Sequence, residues 1–163
     1  MNFDMAEYIV EVLDAFKQFK ETVALNHVSV SFETGKIHGV IGRNGAGKTV
    51  LFKCICGFMQ LNSGKILMGG KPVRPEAPQD IGIIIEDPGF IGSMSAYQNL
   101  KLLASVQRIV SDKEIRNTLI RVGLDPDSRK PVRKYSLGMR HRLGIAQAIM
   151  EKPKLLVLDE PMN

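Results

Sequence analysis

At 163 residues the chain is long enough for one domain with a sizeable core. Its 44% hydrophobic and 24% charged content excludes a disordered polypeptide, two cysteines exclude a disulfide scaffold, and no apolar run approaches the length of about 18 residues that a spanning helix needs. The formal charge of +5 suits an anionic partner, whether nucleotide phosphate, nucleic acid or an acidic membrane surface.

The first residues, Met1-Asn2-Phe3-Asp4-Met5-Ala6-Glu7, lack the basic region and apolar core of a signal peptide, so an intracellular protein is expected. Residues 8–13 alternate loosely and 24–32 more clearly, so both read as strands, with Phe19-Lys20-Glu21-Thr22 as a polar turn between them. Ile37-His38-Gly39-Val40-Ile41 reads as a further strand, with His38 a structural residue on it, and residues 50–55 read as a helix. Between that strand and helix lies Gly42-Arg43-Asn44-Gly45-Ala46-Gly47-Lys48-Thr49, which spells the phosphate-binding pattern G-x-x-x-x-G-K-[ST]. Glycines allow consecutive N–H groups to point inward at a phosphate. Lys48 supplies a charge for the outer phosphates, and the Thr49 hydroxyl is placed for Mg²⁺. A helix N-terminus behind the loop adds the positive end of its dipole. The plainer alternative is a glycine turn joining strand to helix.

Cys54 and Cys56 sit two apart on that helix and point in different directions, so both read as reduced and structural. Gly57 is the expected helix stop. Ile66-Leu67-Met68 with Gly69-Gly70 reads as a short strand and turn. Pro72, Pro75 and Pro78 predict an irregular stretch, and residues 81–85 predict a buried strand. From residue 93 the chain turns helical. Ser95-Ala96-Tyr97-Gln98 has the form of a capping box, with Leu100, Leu103, Ala104 and Gln107 on one face. Ser111-Asp112-Lys113-Glu114 repeats it ahead of Ile115, Leu119 and Val122, with Gly123 as the stop. The cluster Arg129-Lys130-Pro131-Val132-Arg133-Lys134 reads as a solvated charged face. A third helix begins near Ser136, with Met139, Leu143, Ala146 and Met150 as its apolar stripe, and Pro153 ends it.

A last apolar strand, residues 154–158, delivers Asp159 and Glu160 at its tip. Alone, such a pair reads equally as an acidic turn. About 110 residues after a phosphate loop it fits the Walker B role, with Asp159 for Mg²⁺ and Glu160 for the attacking water. In Tyr135-Ser136-Leu137-Gly138-Met139-Arg140-His141-Arg142, cations in a first helical turn oppose the helix dipole. Either an anion sits at that helix start or the arginines splay into solvent around a plain Ser136 cap.

These three motifs, in this order and spacing, resemble the nucleotide-binding domain of an ABC transporter. The resemblance implies an α/β P-loop NTPase fold with an N-terminal β-rich part and an inserted helical subdomain, incomplete at the C-terminus. Its expected divisions are an ATP-binding core over 1–92, a helical signature subdomain over 93–150, and the Walker B strand of the core over 151–163. It implies ATP and Mg²⁺ as ligands. Gly42, Arg43, Asn44, Gly45, Ala46, Gly47, Lys48, Thr49 and Val50 would then bind ATP, and Lys48 and Glu160 would be catalytic. Thr49, Asp159 and Glu86 would hold the metal, Glu86 standing where the family usually has glutamine. Phe19 falls where an aromatic residue stacks on adenine, although the residues alone read it equally as a packing side chain. Ser136 and Gly138 match the family signature, in which they would contact ATP held by the opposite subunit; Leu137 and Met139 depart from it. The Tyr135-to-Met139 version resembles a branch of bacterial exporters that handle bacitracin-like antimicrobial peptides. The implied assembly is a homo- or heterodimer closed around ATP, driving an integral membrane permease from the cytoplasmic face and binding no nucleic acid. Two alternatives stay open: a non-catalytic nucleotide-binding fragment, and a non-transport relative acting on nucleic acid or the ribosome.

The family domain continues beyond Walker B with another strand and a switch histidine. His27, His38 and His141 all precede Walker B, so none replaces that histidine by position. A gap in the sheet is therefore expected, and marginal stability with it.

Overall fold

The computed structural model describes residues 7–75, 80–85, 89–107 and 110–159. The chain divides into two compact units at residues 79 and 80.

The first unit is built on β1 (Tyr8–Phe19) and β2 (Thr22–Glu33), a long antiparallel hairpin whose turn is Lys20 and Glu21. β3 (Ser63–Met68) pairs with the other edge of β1, and the two-residue β4 (Lys71–Pro72) pairs with β3, giving the order β2-β1-β3-β4. Alternation along β1 puts Val10, Val12 and Ala15 in the core with Leu25 of β2 and Ile66 of β3. The alternation breaks at Asp14, which adopts φ +52°. Its N–H donates to Ser29 Oγ at 2.9 Å, and its carboxylate meets His27 Nδ1 at 2.9 Å. α1 (Lys48–Ile55) buries Leu51, Cys54 and Ile55. It ends as predicted at Gly57 (φ +76°), where the Gly57 and Phe58 amides donate to the Cys54 and Lys53 carbonyls. Both cysteines are buried and unpaired, and burial pushes the Cys56 thiol up to about 12.

Two expectations fail in this unit. Residues 37–41 form no strand, and Ile37 and Ile41 are fully exposed. A strand needs a lateral backbone partner, and no described strand offers one to this segment. His38 therefore sits on no strand; its ring is exposed, with Nε2 3.1 Å from the Glu33 carbonyl and its edge against Phe32. Pro72, expected in an irregular stretch, lies in β4, where an edge position costs no ladder bond. Pro78 lies outside the described residues.

The second unit opens with β5 (Ile81–Ile84), runs through three helices, and closes with β6 (Leu155–Leu158) parallel to β5. So β5, read from sequence with residues 1–92, shares a unit with the helices and β6. α2 (Ala96–Gln107) and α3 (Asp112–Arg121) start with the two predicted capping boxes. In the first, the Ser95 N–H donates to Gln98 Oε1 at 2.9 Å, and the Gln98 N–H donates to Ser95 Oγ at 3.3 Å. A 3-10 turn at Val132–Lys134 leads to α4 (Leu137–Ile149). Leu100, Ile115, Leu119 and Leu143 are fully buried at the centre of this unit, each worth roughly 1.5–3 kcal/mol of burial. Leu103, predicted on the buried face of α2, is half-exposed instead, because Ala96, Asn99, Leu100 and Ala104 take that face. Buried Asn99 is fully bonded: its Nδ2 donates to the Ile91 and Ser95 carbonyls, and its Oδ1 accepts from the Ile91 N–H. No helix among the described residues is long and apolar enough to cross a membrane.

α3 is tied to the lead-in of β6 by Lys152 Nζ donating to Glu114 Oε1 at 2.7 Å. That bond, with those from the Ser111 amide and hydroxyl, holds the Glu114 carboxyl down at about 2. A depressed carboxyl contributes stability above its unfolded value and loses it as pH falls toward the folded one. Glu114→Gln should therefore melt below the parent at pH 7, with the gap narrowing as pH falls from about 4.5 toward about 2. Thermal scans across that range check it, and a gap independent of pH would contradict it.

Candidate functional site

In the first unit the sequence after β2 runs to the glycine-rich loop without regular structure. The loop then closes on itself. The Ala46 N–H donates to the Arg43 carbonyl at 3.1 Å. Lys48 Nζ donates to the Gly42 carbonyl at 2.8 Å and to that of Arg43 at 3.2 Å. The ammonium is thus held inside the loop rather than left to swing in solvent. Residues 42–46 are exposed, and Gly47, Lys48, Thr49 and Val50 are partly buried.

Gly47 is the pivot. It caps α1 in the left-handed region at φ +87°, and its carbonyl accepts the first helical bond, from Leu51. A Cβ here would collide with the Ala24 carbonyl oxygen of β2 and press Leu25 Cδ2 at 3.3 Å. The loop is therefore seated on β2 by backbone contact, and only glycine permits both the φ angle and the approach. The start of α1 then directs the positive end of its dipole toward the loop.

Phe19 ends β1 and pairs with Thr22 across the turn. It is 42% exposed, with Lys17 Nζ 5.1 Å from its ring centre. Ala24, which seats Gly47, lies two residues beyond Thr22, roughly 7 Å along the strand. So the glycine-rich loop and an accessible aromatic face share the turn end of the same hairpin.

In the second unit, Asp159 directly follows β6, and its N–H donates to the Ile84 carbonyl at 2.7 Å, extending the parallel pairing to the carboxylate-bearing residue. The depth of this tip is set from behind, since a Cβ on Gly82 would collide with the Ala148 carbonyl of α4. Glu160 and Glu86 lie outside the described residues. Ser136 caps α4, its Oγ accepting from the Met139 N–H at 3.3 Å. Leu137 is half-exposed, and a Cβ on Gly138 would meet nothing within 4 Å. Nothing described inside the chain requires glycine at 138, though a helical glycine costs about 1 kcal/mol relative to alanine. Of the cations after it, Arg142 reaches the Gly123 carbonyl at 3.4 Å, near the end of α3, where a positive charge is favoured.

The loop is legible in the sequence but its seat is not: Ala24 reads as an ordinary strand residue, and a contact across 23 positions leaves no local signal. Gly82 was likewise indistinguishable from any strand glycine.

The ABC transporter family model matches residues 25–163. The chain is 41% identical over 157 residues to an ABC transporter ATP-binding protein of Bacillus subtilis, covering 95% of this chain and 72% of that protein. It is 40% identical over 160 residues to the bacitracin transport ATP-binding protein of Enterococcus faecalis, covering 96% of this chain and 52% of that protein. Thus the chain spans about half the length of the latter relative. Among solved structures, cbiO1 of Clostridium perfringens, part of the ABC transporter complex cbiONQ, superimposes with a TM-score of 0.81 at 30% identity, covering 95% of this chain and 66% of that one.

Gly47→Ala tests the seat of the loop, with Gly45→Ala as its partner. Gly45 also has positive φ (+81°), but a Cβ there meets nothing. Gly45→Ala should cost about 1–2 kcal/mol, and Gly47→Ala at least 1 kcal/mol more, since a backbone oxygen must move. Urea unfolding measures both, and equal costs would contradict the seat.

Proposed function

The chain belongs to the ABC transporter family, and on that premise we propose that it binds and hydrolyses Mg-ATP as a dimer to drive a separate membrane permease. The observation that carries this reading is the loop seated on β2 with the Lys48 ammonium held across it. Such a loop offers fixed donors to phosphate oxygens, and phosphoryl transfer depends mainly on positioning and charge neutralisation.

Each proposed role rests on a residue's motif and, where described, its setting. Gly42, Arg43, Asn44, Gly45, Ala46, Gly47 and Val50 wrap the phosphates, with Lys48 on the outer ones. Phe19 offers its exposed face to the base, a sequence-tolerant contact. The donor chemistry fits a hard cation: a hydroxyl at Thr49 and carboxylates at Asp159 and Glu86 are oxygen ligands of the kind Mg²⁺ takes. When bound, Mg²⁺ would neutralise charge building on the β- and γ-phosphates. Glu160 would accept the proton of the attacking water. The open first turn of α4, with Ser136 as cap and an internally unneeded glycine at 138, suits close approach by a group outside the chain. We assign that group as ATP held by a second subunit. Residues 1–92 with 151–163 would act as the ATP-binding core and 93–150 as the signature subdomain. The permease would hold the protein at the inner face of the membrane. Since a 40% identical relative is a bacitracin transport ATP-binding protein, the proposed cargo class is peptide antimicrobials.

A second reading, binding without turnover, is favoured by Leu137 and Met139, which stand in the signature where the family has glycine and glutamine. Phosphate release from the protein with Mg-ATP separates the two.

Binding itself is tested by thermal unfolding with and without Mg-ATP. At 100 times its Kd, a ligand specific for the native state adds about 2.7 kcal/mol. The melting temperature should rise in the parent and not in Lys48→Ala. An equal rise in both would remove the loop from the account.

A further inference from the structure

Lys17 is a cation without an acidic partner. It is half-buried on β1, and no carboxylate among the described residues lies at ion-pair distance from it. Drawing a charge partly out of water without such a partner is unfavourable, so what does face it is informative. Its Nζ lies 5.1 Å from the centre of the Phe19 ring, within the range at which a cation is attracted to an aromatic face. Its charge is also felt at α1: burial pushes the Cys54 thiol up, and Lys17 draws it partway back. The ammonium therefore lies in toward the helix, on the inner side of Phe19.

The backbone beneath both residues is fixed. Asn62, just before β3, clamps β1 on either side of Lys17: its N–H donates to the Phe16 carbonyl at 2.9 Å, and its Oδ1 accepts from the Gln18 N–H at 2.8 Å. Gln18 Nε2 donates to the Lys20 carbonyl at 2.7 Å, and Lys20 turns the chain at φ +51°. Two residues apart, Lys17 and Phe19 share a face of the strand. Lys17 thus covers the side of the ring that looks back along β1. Phe19 is the last residue of β1, so no strand residue stands on its other side. A ring with a fixed cation on one face differs from a free aromatic in two ways. It offers a flat ligand one face only, and the cation offsets the negative charge of the ring's π cloud. Both favour a flat, electron-rich group stacked on the outer face.

We propose that Lys17 is the positioning residue of a base-stacking platform: it occupies the inner face of Phe19, so that the nucleobase stacks on the outer one. This inference rests on the nucleotide reading, which supplies the base. It goes beyond that reading in adding a residue that touches neither base nor phosphate and acts only through the ring.

The test is calorimetric titration of the full chain, with Mg²⁺ present, by two probes: ATP, and inorganic tripolyphosphate, which carries the phosphates without the base. Lys17→Met should lower the affinity for ATP relative to that for tripolyphosphate by about threefold or more. Loss of one positive charge, or a general loosening near the loop, would move both probes together and leave their ratio unchanged. Lys17→Arg keeps a cation able to lie on the ring and should return the ratio to within about twofold of the parent. In a Phe19→Leu background, Lys17→Met should not change the ratio, because the ring through which it acts is gone. Circular dichroism melts confirm that each variant is folded, and Lys17→Gln serves as a second uncharged replacement. A ratio unmoved by the uncharged replacements would overturn the proposal. So would a change that Lys17→Arg fails to reverse, or one that persists without the ring. ATP binding that is lost in Lys48→Ala, with the ratio unaltered in Lys17→Met, would remove Lys17 and leave the nucleotide reading standing. Failure of both probes to bind the parent would remove that reading, and this inference with it.

Discussion

The contact of Gly47 with the Ala24 carbonyl fixes what the first unit can do. It joins the sheet of this unit to the glycine-rich loop, and it does so backbone to backbone. Side-chain contacts tolerate small shifts by changing rotamer, whereas a carbonyl oxygen against Cα does not. The seat therefore sets the position of α1's first amides, which follow Gly47 directly, and of the Lys48 ammonium, which crosses back to Gly42 and Arg43. The absence of a side-chain cap on α1 has the same origin. Gly47 is specified by approach and φ, and its lack of a capping oxygen leaves the helix start open toward the loop.

The second unit solves a similar placement problem by a different route. Two short parallel strands, β5 and β6, carry Asp159 to the tip of β6, and their depth is set by α4 packing where Gly82 leaves room. Around them, capping boxes, the fully bonded Asn99 and the Glu114–Lys152 bond fix how the connecting segments leave and return. Polar atoms in this unit act mainly as ties between segments, while Leu100, Ile115, Leu119 and Leu143 supply the burial.

Most of the fold was legible because its signals are local. Ser95 with Gln98 and Ser111 with Glu114 place two helix starts to the residue, since a capping box involves only four positions. Gly57 and Gly123 stop helices by their own φ preference. The glycine-rich loop was legible for the same reason, as its eight residues carry their own geometry. What failed, failed through long-range structure. Residues 37–41 have strand composition, but composition supplies no partner, and none of the described strands pairs with them. Leu103 has the right spacing for the core, yet smaller Ala96, Ala104 and the bonded Asn99 turn α2 so that Leu103 lies at its edge. The role of Ala24 was invisible because a carbonyl oxygen has no residue-type signature.

The central claim is that a nucleotide sits in the loop seated on β2. Amide nitrogen–proton correlation spectra of the labelled chain, titrated with Mg-ATP, test it most directly. The account predicts the largest shifts at Gly45, Gly47, Lys48 and Thr49, with smaller ones at Ala24 and Leu25 through the shared contact. Saturable shifts confined to other segments, leaving these amides unmoved, would contradict it.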